Sequence, residues 1–243
     1  MFNKNNNKKI FFKETTIVAK HILQMPKPAT NHVPKWYKDD KLFTNGHNDF
    51  IKKYRDMADG TYKLCVPLVD SLTAGYIFVT SCDMIVTNTS KNGYVPLFQW
   101  KVDWTPVDMQ PKETLGNFPI PFAHNSTSFR WTTDWQVVTP IGYSLWVTHP
   151  SNRYDLPFTT INGFVDTDKH PNSILFPFFI RDGFEGIIPE GTPIAQVIPV
   201  KRDIWKSEKI DYDPEKEFIN KNIMKTNIVR TYKNKFWSKK EYK

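Results

Sequence analysis

With 243 residues, 40% of them hydrophobic and 15% aromatic, and a formal charge of +8, the chain has material for one large domain carrying arms. Eighteen Pro against ten Gly exclude a simple helical bundle and favour short strands with ordered loops. No apolar run reaches the roughly 18–20 residues of a bilayer-spanning helix. The basic start MFNKNNNKKIFF also lacks the apolar core of a secretory signal, so neither membrane insertion nor secretion is expected.

Residues 1–60 read as an N-terminal arm. It begins with an Asn/Lys-rich tip expected to be disordered. A short extended segment over Lys9–Ala19 follows, then a Pro-punctuated stretch from Lys20 to Trp36. Lys35 to Met57, ahead of the Asp59-Gly60 turn, has room for one or two short helices. Such an arm packs either on its own domain or on a neighbouring subunit.

Residues 61–201 read as the β domain. Short β-branched or aromatic runs separated by Gly, Pro, Asn or Asp predict strands at Tyr62–Val69, Gly75–Thr80, Asp83–Thr89, Val95–Trp104 and Gln136–Val138. Further runs predict Tyr143–Thr148, Phe158–Ile161, Gly163–Val165, Ile174–Ile180, Gly186–Ile188 and Ile194–Val200. This is the pattern of a sandwich or jelly roll. Pro67 and Pro177 are expected at edges or bulges, since proline donates nothing to a ladder. Cys65 and Cys82 read as ordinary buried residues and not as a disulfide.

Residues 202–243 read as a basic helical tail. Asp213-Pro214-Glu215-Lys216-Glu217 combines an N-cap Asp, Pro at the first helical position and acids in the first turn. Met224, Ile228, Tyr232 and Phe236 follow at i+4 spacing as one apolar stripe, the expected partner-binding face of an amphipathic helix. From Lys216 to Lys243, nine Lys/Arg stand against two acids, so seven of the eight net charges lie there. A basic tail on a near-neutral body points to an anionic partner for the tail, or to a solvated helix face.

The remaining chemistry is sparse. His124, His149 and His170 lack any two-ligand spacing, so no metal site is expected. Trp131, Trp135 and Trp146 read as core. Phe129-Arg130-Trp131 lacks the basic surroundings of a nucleic-acid groove, and nucleic acid is not an expected partner. No P-loop, GxGxxG or Ser/His/Asp nucleophile pattern is present.

Four short segments, in order, resemble the trimeric dUTPase and dCTP deaminase superfamily, whose fold is a jelly-roll-like β-barrel, the β-clip. Leu72-Thr73-Ala74-Gly75-Tyr76 is similar to the first motif, Ala-Gly-Tyr-Asp, but the acid position is Ile77. His149-Pro150-Ser151-Asn152-Arg153 stands where the phosphate-binding Arg-Ser turn would lie. Gly163-Phe164-Val165-Asp166-Thr167-Asp168 matches the first half of the third motif, and Lys169-His170-Pro171 replaces the Tyr-Arg-Gly that follows. Glu190-Gly191-Thr192-Pro193-Ile194-Ala195-Gln196 partly matches the fourth. The Gly-rich fifth motif, which closes over the phosphates, is missing. The resemblance implies a mainly β, dUTPase-like domain between an N-terminal arm and a C-terminal amphipathic helix, assembled with other copies of itself as a trimer.

If the pocket is retained, the resemblance implies Ser151, Asn152, Arg153, Asp166, Asp168 and Gln196 as its ligand-binding residues. Each has a structural alternative. Asp166 and Asp168 either meet a nucleotide or hydrogen-bond their own turn. Arg153 either binds an anion or pairs with Asp155, and Gln196 either reads a ligand or bonds main chain inside a buried strand. Ile77 cannot ligate a hard cation, and phosphoryl transfer depends on positioning and electrostatics that the missing acid and lid would supply.

The expectation is therefore a non-catalytic structural or interaction protein without a cofactor. It would be a particle component of a tailed phage, whose uncharacterised proteins the chain also resembles, acting in the virion or the host cytoplasm. The arm and the C-terminal helix would bind other proteins. The alternative is a divergent nucleotide pyrophosphatase or deaminase using magnesium, or a nucleotide-binding regulatory module.

Overall fold

A computed structural model describes residues 8–42, 61–225 and 232–243. The Asn/Lys tip, the Asp59-Gly60 turn, the second half of the Lys35–Met57 segment and Ile228 lie outside these residues. The chain forms two compact units. One comprises the described residues up to His32 together with Gly75–Arg202; the other comprises those between Val33 and Ala74 together with those from Asp203 to Lys243.

The first unit is mainly β, as expected. Its strands are β1 (Phe11–Glu14), β2 (Lys27–Pro28), β3 (Tyr76–Val79), β4 (Met84–Asn88), β5 (Pro96–Gln99), β6 (Val107–Met109) and β7 (His124–Trp131). They continue with β8 (Trp135–Val138), β9 (Tyr143–Thr148), β10 (Phe158–Thr160), β11 (Gly163–Val165), β12 (Phe176–Arg181), β13 (Gly186–Ile188) and β14 (Pro193–Lys201). One short helix, α1 (Ile17–His21), is capped by the Thr16 hydroxyl, which accepts from the Ala19 N–H.

All sheets are antiparallel. Their orders are β11-β9-β14-β3-β2, β10-β12-β7-β6, β13-β4-β5 and the pair β1-β8. The N-terminal segment thus lies on its own unit: β1 pairs with β8, and β2 forms an edge beside β3.

The strands form because alternate residues find a core. In β5, Pro96 and Phe98 are buried while Leu97 and Gln99 face out. The core is aromatic. Trp131 of β7 stacks on Phe178 of β12 with centroids 3.9 Å apart and packs edge-on against Phe158 at 5.0 Å. Phe98 meets Phe129 at 4.8 Å, and Phe78 meets Phe176 at 4.9 Å. Trp131 and Trp135 are core residues, as expected. Trp146 instead lies partly exposed against the exposed Phe164.

Four local expectations are corrected. Tyr62–Val69 is not a strand: Tyr62–Leu64 is a 3-10 turn that leads into a helix over Val66–Thr73. Pro67 sits in that helix's first turn, where its missing N–H is an orphan anyway and its fixed φ suits the start. Pro177 lies neither at an edge nor at the bulge. It is the second residue of the interior strand β12, where its carbonyl accepts from the Ile161 N–H at 2.8 Å. Cys65, expected to be buried, is exposed beside the turn that leads into the helix, whereas Cys82 is buried as expected; both are free thiols.

The second unit holds α2 (Lys35–Asp39), α3 (Val66–Thr73) and α4 (Pro214–Lys225), followed by a π-helical turn over Tyr232–Phe236. The predicted N-cap is present: Asp213 Oδ1 accepts from the N–H groups of Glu215 and Lys216, both at 3.1 Å. Asp70 of α3 accepts from Trp237 Nε1 at 2.9 Å and from Lys240 Nζ at 2.6 Å. Between Arg202 and α4 the chain has no regular structure and exposes Ile204, Trp205, Ile210 and Tyr212. Among the described residues, no helix is long and apolar enough to cross a membrane.

One backbone approach constrains the β unit. Gly75 has φ +68°, and a Cβ there would stand 2.0 Å from the Val197 carbonyl oxygen, so only glycine fits. Gly75→Ala is expected to destabilise the fold by at least about 2 kcal/mol in urea unfolding. Gly163→Ala, with no atom within 4 Å of its Cβ, should stay within about 0.5 kcal/mol.

Candidate functional site

The four segments picked out in the sequence converge on the five-stranded sheet. Tyr76 and Ile77 lie in β3, the Ser151–Arg153 turn follows β9, Gly163 opens β11, and Gln196 lies in β14. β14 pairs with β3 on one side and β9 on the other, placing Gln196 opposite both Ile77 and Thr148.

Gln196 is fully buried, and its Oε1 accepts from the Ser151 N–H at 2.9 Å. The amide thus holds the turn after β9. In that turn Asn152 takes φ 58°, a conformation Asn tolerates. Arg153 pairs with Asp155, its Nε donating to Oδ1 and its Nη2 to Oδ2, both at 2.8 Å. Of the two roles open to Arg153 in the sequence, the ion pair is the one formed. It also holds the Asp155 carboxyl below its ordinary value.

His149 sits at the base of the turn. Its Nδ1 accepts from the Thr160 N–H at 3.3 Å, which leaves the proton on Nε2 to donate to the Arg153 carbonyl at 3.1 Å. Burial lowers its pKa, and both ring nitrogens serve the neutral form.

Asp166 and Asp168 follow β11, and their carboxylates reach across to the ends of β9 and β14 and not back to their own turn. Ser144 Oγ donates to Asp166 Oδ1 at 2.6 Å. The Gly142 N–H donates to Asp168 Oδ2 at 2.9 Å. Between the two acids lies Arg202, the residue after β14. Its Nη1 is 3.0 Å from Asp168 Oδ1 and 3.2 Å from Asp166 Oδ1, and its Nη2 pairs closely with Asp168 Oδ2. The same Nη1 also reaches the Tyr143 carbonyl and Ser144 Oγ, each at 3.0 Å. The Arg202 N–H meets the Gly142 carbonyl at 2.8 Å, so main chain and side chain both hold the arginine in place.

Electrostatics follow from this geometry. The Asp168 side chain is 2% exposed, against 60% for Asp166. The Arg202 hydrogen bond first, then the Gly142 N–H, hold the Asp168 carboxyl down to about 2. The same pairing raises the Arg202 pKa. A carboxylate so held is a poor proton acceptor near neutral pH.

Arg202 is not among the sequence candidates, because it falls two residues past the predicted strand Ile194–Val200, in the region read as tail. Its partners lie 34 and 36 positions away, beyond any local signal. Of the tail residues, Tyr232 and Phe236 lie in the π-helical turn, Phe236 exposed. Met224 belongs to α4.

The residues do not fit a hydrated magnesium ion. Ile77 is buried in β3, and the acid pair is occupied by Arg202. Among the described residues, no group of three or more His, Cys, Asp or Glu is placed to hold a metal ion.

No protein-family model and no curated protein matches the chain. Among solved structures it is similar to a point mutant of the dUTPase from phage phi11 of S. aureus, a structure that reveals coordination of a structural Mg(II) ion. Identity is 12% and the TM-score 0.36, with 84% of this chain and 98% of that chain covered. At those values the likeness transfers neither a reaction nor a ligand.

The acid pair makes stability depend on pH in one direction. Asp168 has a folded pKa of about 2, below the roughly 3.9 of an unfolded aspartate. Its contribution is therefore complete above about pH 4 and lost as pH falls toward 2. Asp168→Asn should lower Tm most above pH 4, and the gap to wild type should close toward pH 2 in a thermal-melt series.

Proposed function

We propose that this chain is a non-catalytic, dUTPase-like protein that assembles with copies of itself, as a trimer, and serves as a structural component of a virus particle. The observation that carries the reading is Arg202. Its guanidinium fills the space between the two carboxylates that a nucleotide hydrolase of this pattern would turn toward substrate. The basic residue completing the acid pair comes from within the chain, so the cluster works as a lock on β9, β11 and β14. Ile77, buried where a metal-organising acid would stand, supports the same conclusion, as does Arg153 paired with Asp155.

Exposed apolar surface supports the assembly half of the proposal. Ile204, Trp205, Ile210 and Tyr212 are each at least three-quarters exposed in the irregular segment between Arg202 and α4. Large side chains left bare this way mark contact surfaces. A C-terminal segment of such composition, followed by α4 and a tail rich in Lys, suits attachment to other subunits or to a second particle protein.

Nucleotide binding is tested by thermal shift with dUTP and dCTP, with and without Mg²⁺. A ligand at 100 times its Kd stabilises by about 2.7 kcal/mol; the expected result is no shift and no turnover of either nucleotide under any condition, and hydrolysis or deamination of either one would overturn the non-catalytic reading. Assembly is tested by light scattering. The mass should be that of a trimer, three times the 28.5 kDa chain, and should fall in the Ile204→Ser, Trp205→Ser double variant. A monomeric wild-type chain at micromolar concentration would sink the assembly reading.

A further inference from the structure

Two tryptophans of the β unit are buried with an indole Nε1–H that meets no acceptor among the described residues: Trp131 and Trp135. Native folds leave few such donors, because a buried N–H stripped of water and given no partner is costly. The two indoles differ in their surroundings. Trp131 is stacked on Phe178. Trp135 borders a cavity of about 20 Å³ whose lining includes Leu23 and Gln24 of the N-terminal segment and Thr132 and Thr133 of the β7–β8 bend; Trp131 is not part of that lining. One water needs roughly 10–15 Å³ and two to four polar partners.

The lining supplies partners of the right polarity. The Thr132 hydroxyl donates its single proton to the Thr105 carbonyl, and the Thr133 hydroxyl donates to the Ile174 carbonyl at 3.1 Å. What each retains is acceptor capacity. Among the groups around the cavity, the indole N–H is a buried donor with no acceptor among the described residues, and the two threonine hydroxyl oxygens are able to accept; Gln24, Thr80 and Ser81 add further polar groups to the lining. A water molecule, which accepts from one group and donates to two, completes that set.

We propose that this cavity is a structural hydration site. One ordered water accepts from Trp135 Nε1 and donates to Thr132 Oγ1 and Thr133 Oγ1. The N-terminal segment forms its outer wall. Thr15 fastens that segment to the same bend, its N–H and Oγ1 both donating to the Asp134 carbonyl at 3.0 and 2.8 Å. How long the water stays therefore reports how firmly the segment is seated. The site is independent of the functional reading above.

The test is water-selective NMR on the full chain, observing the indole N–H resonances and assigning them through bonded side-chain correlations. The expected result is a cross-peak from Trp135 Nε1–H to a long-lived water and none from Trp131. Thr133→Val, which keeps the shape and removes one acceptor, should weaken the Trp135 peak. No peak at Trp135, equal peaks at both indoles, or a peak indifferent to both Thr133→Val and Thr132→Val would overturn the proposal. If the valine variants do not fold, the wild-type contrast between the two indoles decides by itself.

Discussion

Strand β14 is hydrogen-bonded on both sides, to β3 and to β9, and its residues Ile194–Val197 are wholly buried. That double pairing fixes its register, because a slip of one residue would exchange the side chains packed on its two buried faces and break the ladder on both sides. Gly75 passes so close to Val197 that no side chain fits between them. The two polar features of the site are attached to this fixed strand: Gln196 within it and Arg202 at its end. Their positions are set by the sheet.

Seen from β14, the site is a set of closed contacts. Gln196 holds the turn after β9, Arg153 is taken up by Asp155, and Arg202 joins the two acids that follow β11. Each charged group has found its partner in the same chain. Catalytic sites usually keep charged groups poised for a substrate, with pKa values near the working pH. Here the pairing with Arg202 drives the Asp168 carboxyl the other way, toward about 2.

Most strands were legible because short apolar runs lay between turn residues, as in Tyr143–Thr148, which matches β9 residue for residue. β7 was not. Its sequence HNSTSFRW begins with polar residues and lacks alternation, and it becomes a strand because β12 and β6 pair with it on either side. The helix over Val66–Thr73 is not legible as a helix, because its β-branched and apolar residues imitate a strand and Pro67 suits a strand edge as well as a helix start. At the site, the residues after Gly163 were legible as a pair of acids, but their partner was not. Only the fold brings Arg202 to them, and no spacing rule connects residues so far apart in sequence.

The central claim is that Arg202 and Asp168 form one interlocked unit that gives the site a structural role. A double-mutant cycle on folding stability, with Arg202→Ala, Asp168→Ala and the double variant at neutral pH, tests it most directly. The account predicts strong non-additivity: with Arg202 gone, losing Asp168 as well should cost little more, or even relieve a buried charge left without its partner. Losses that simply add would contradict it, because the two side chains would then be acting apart.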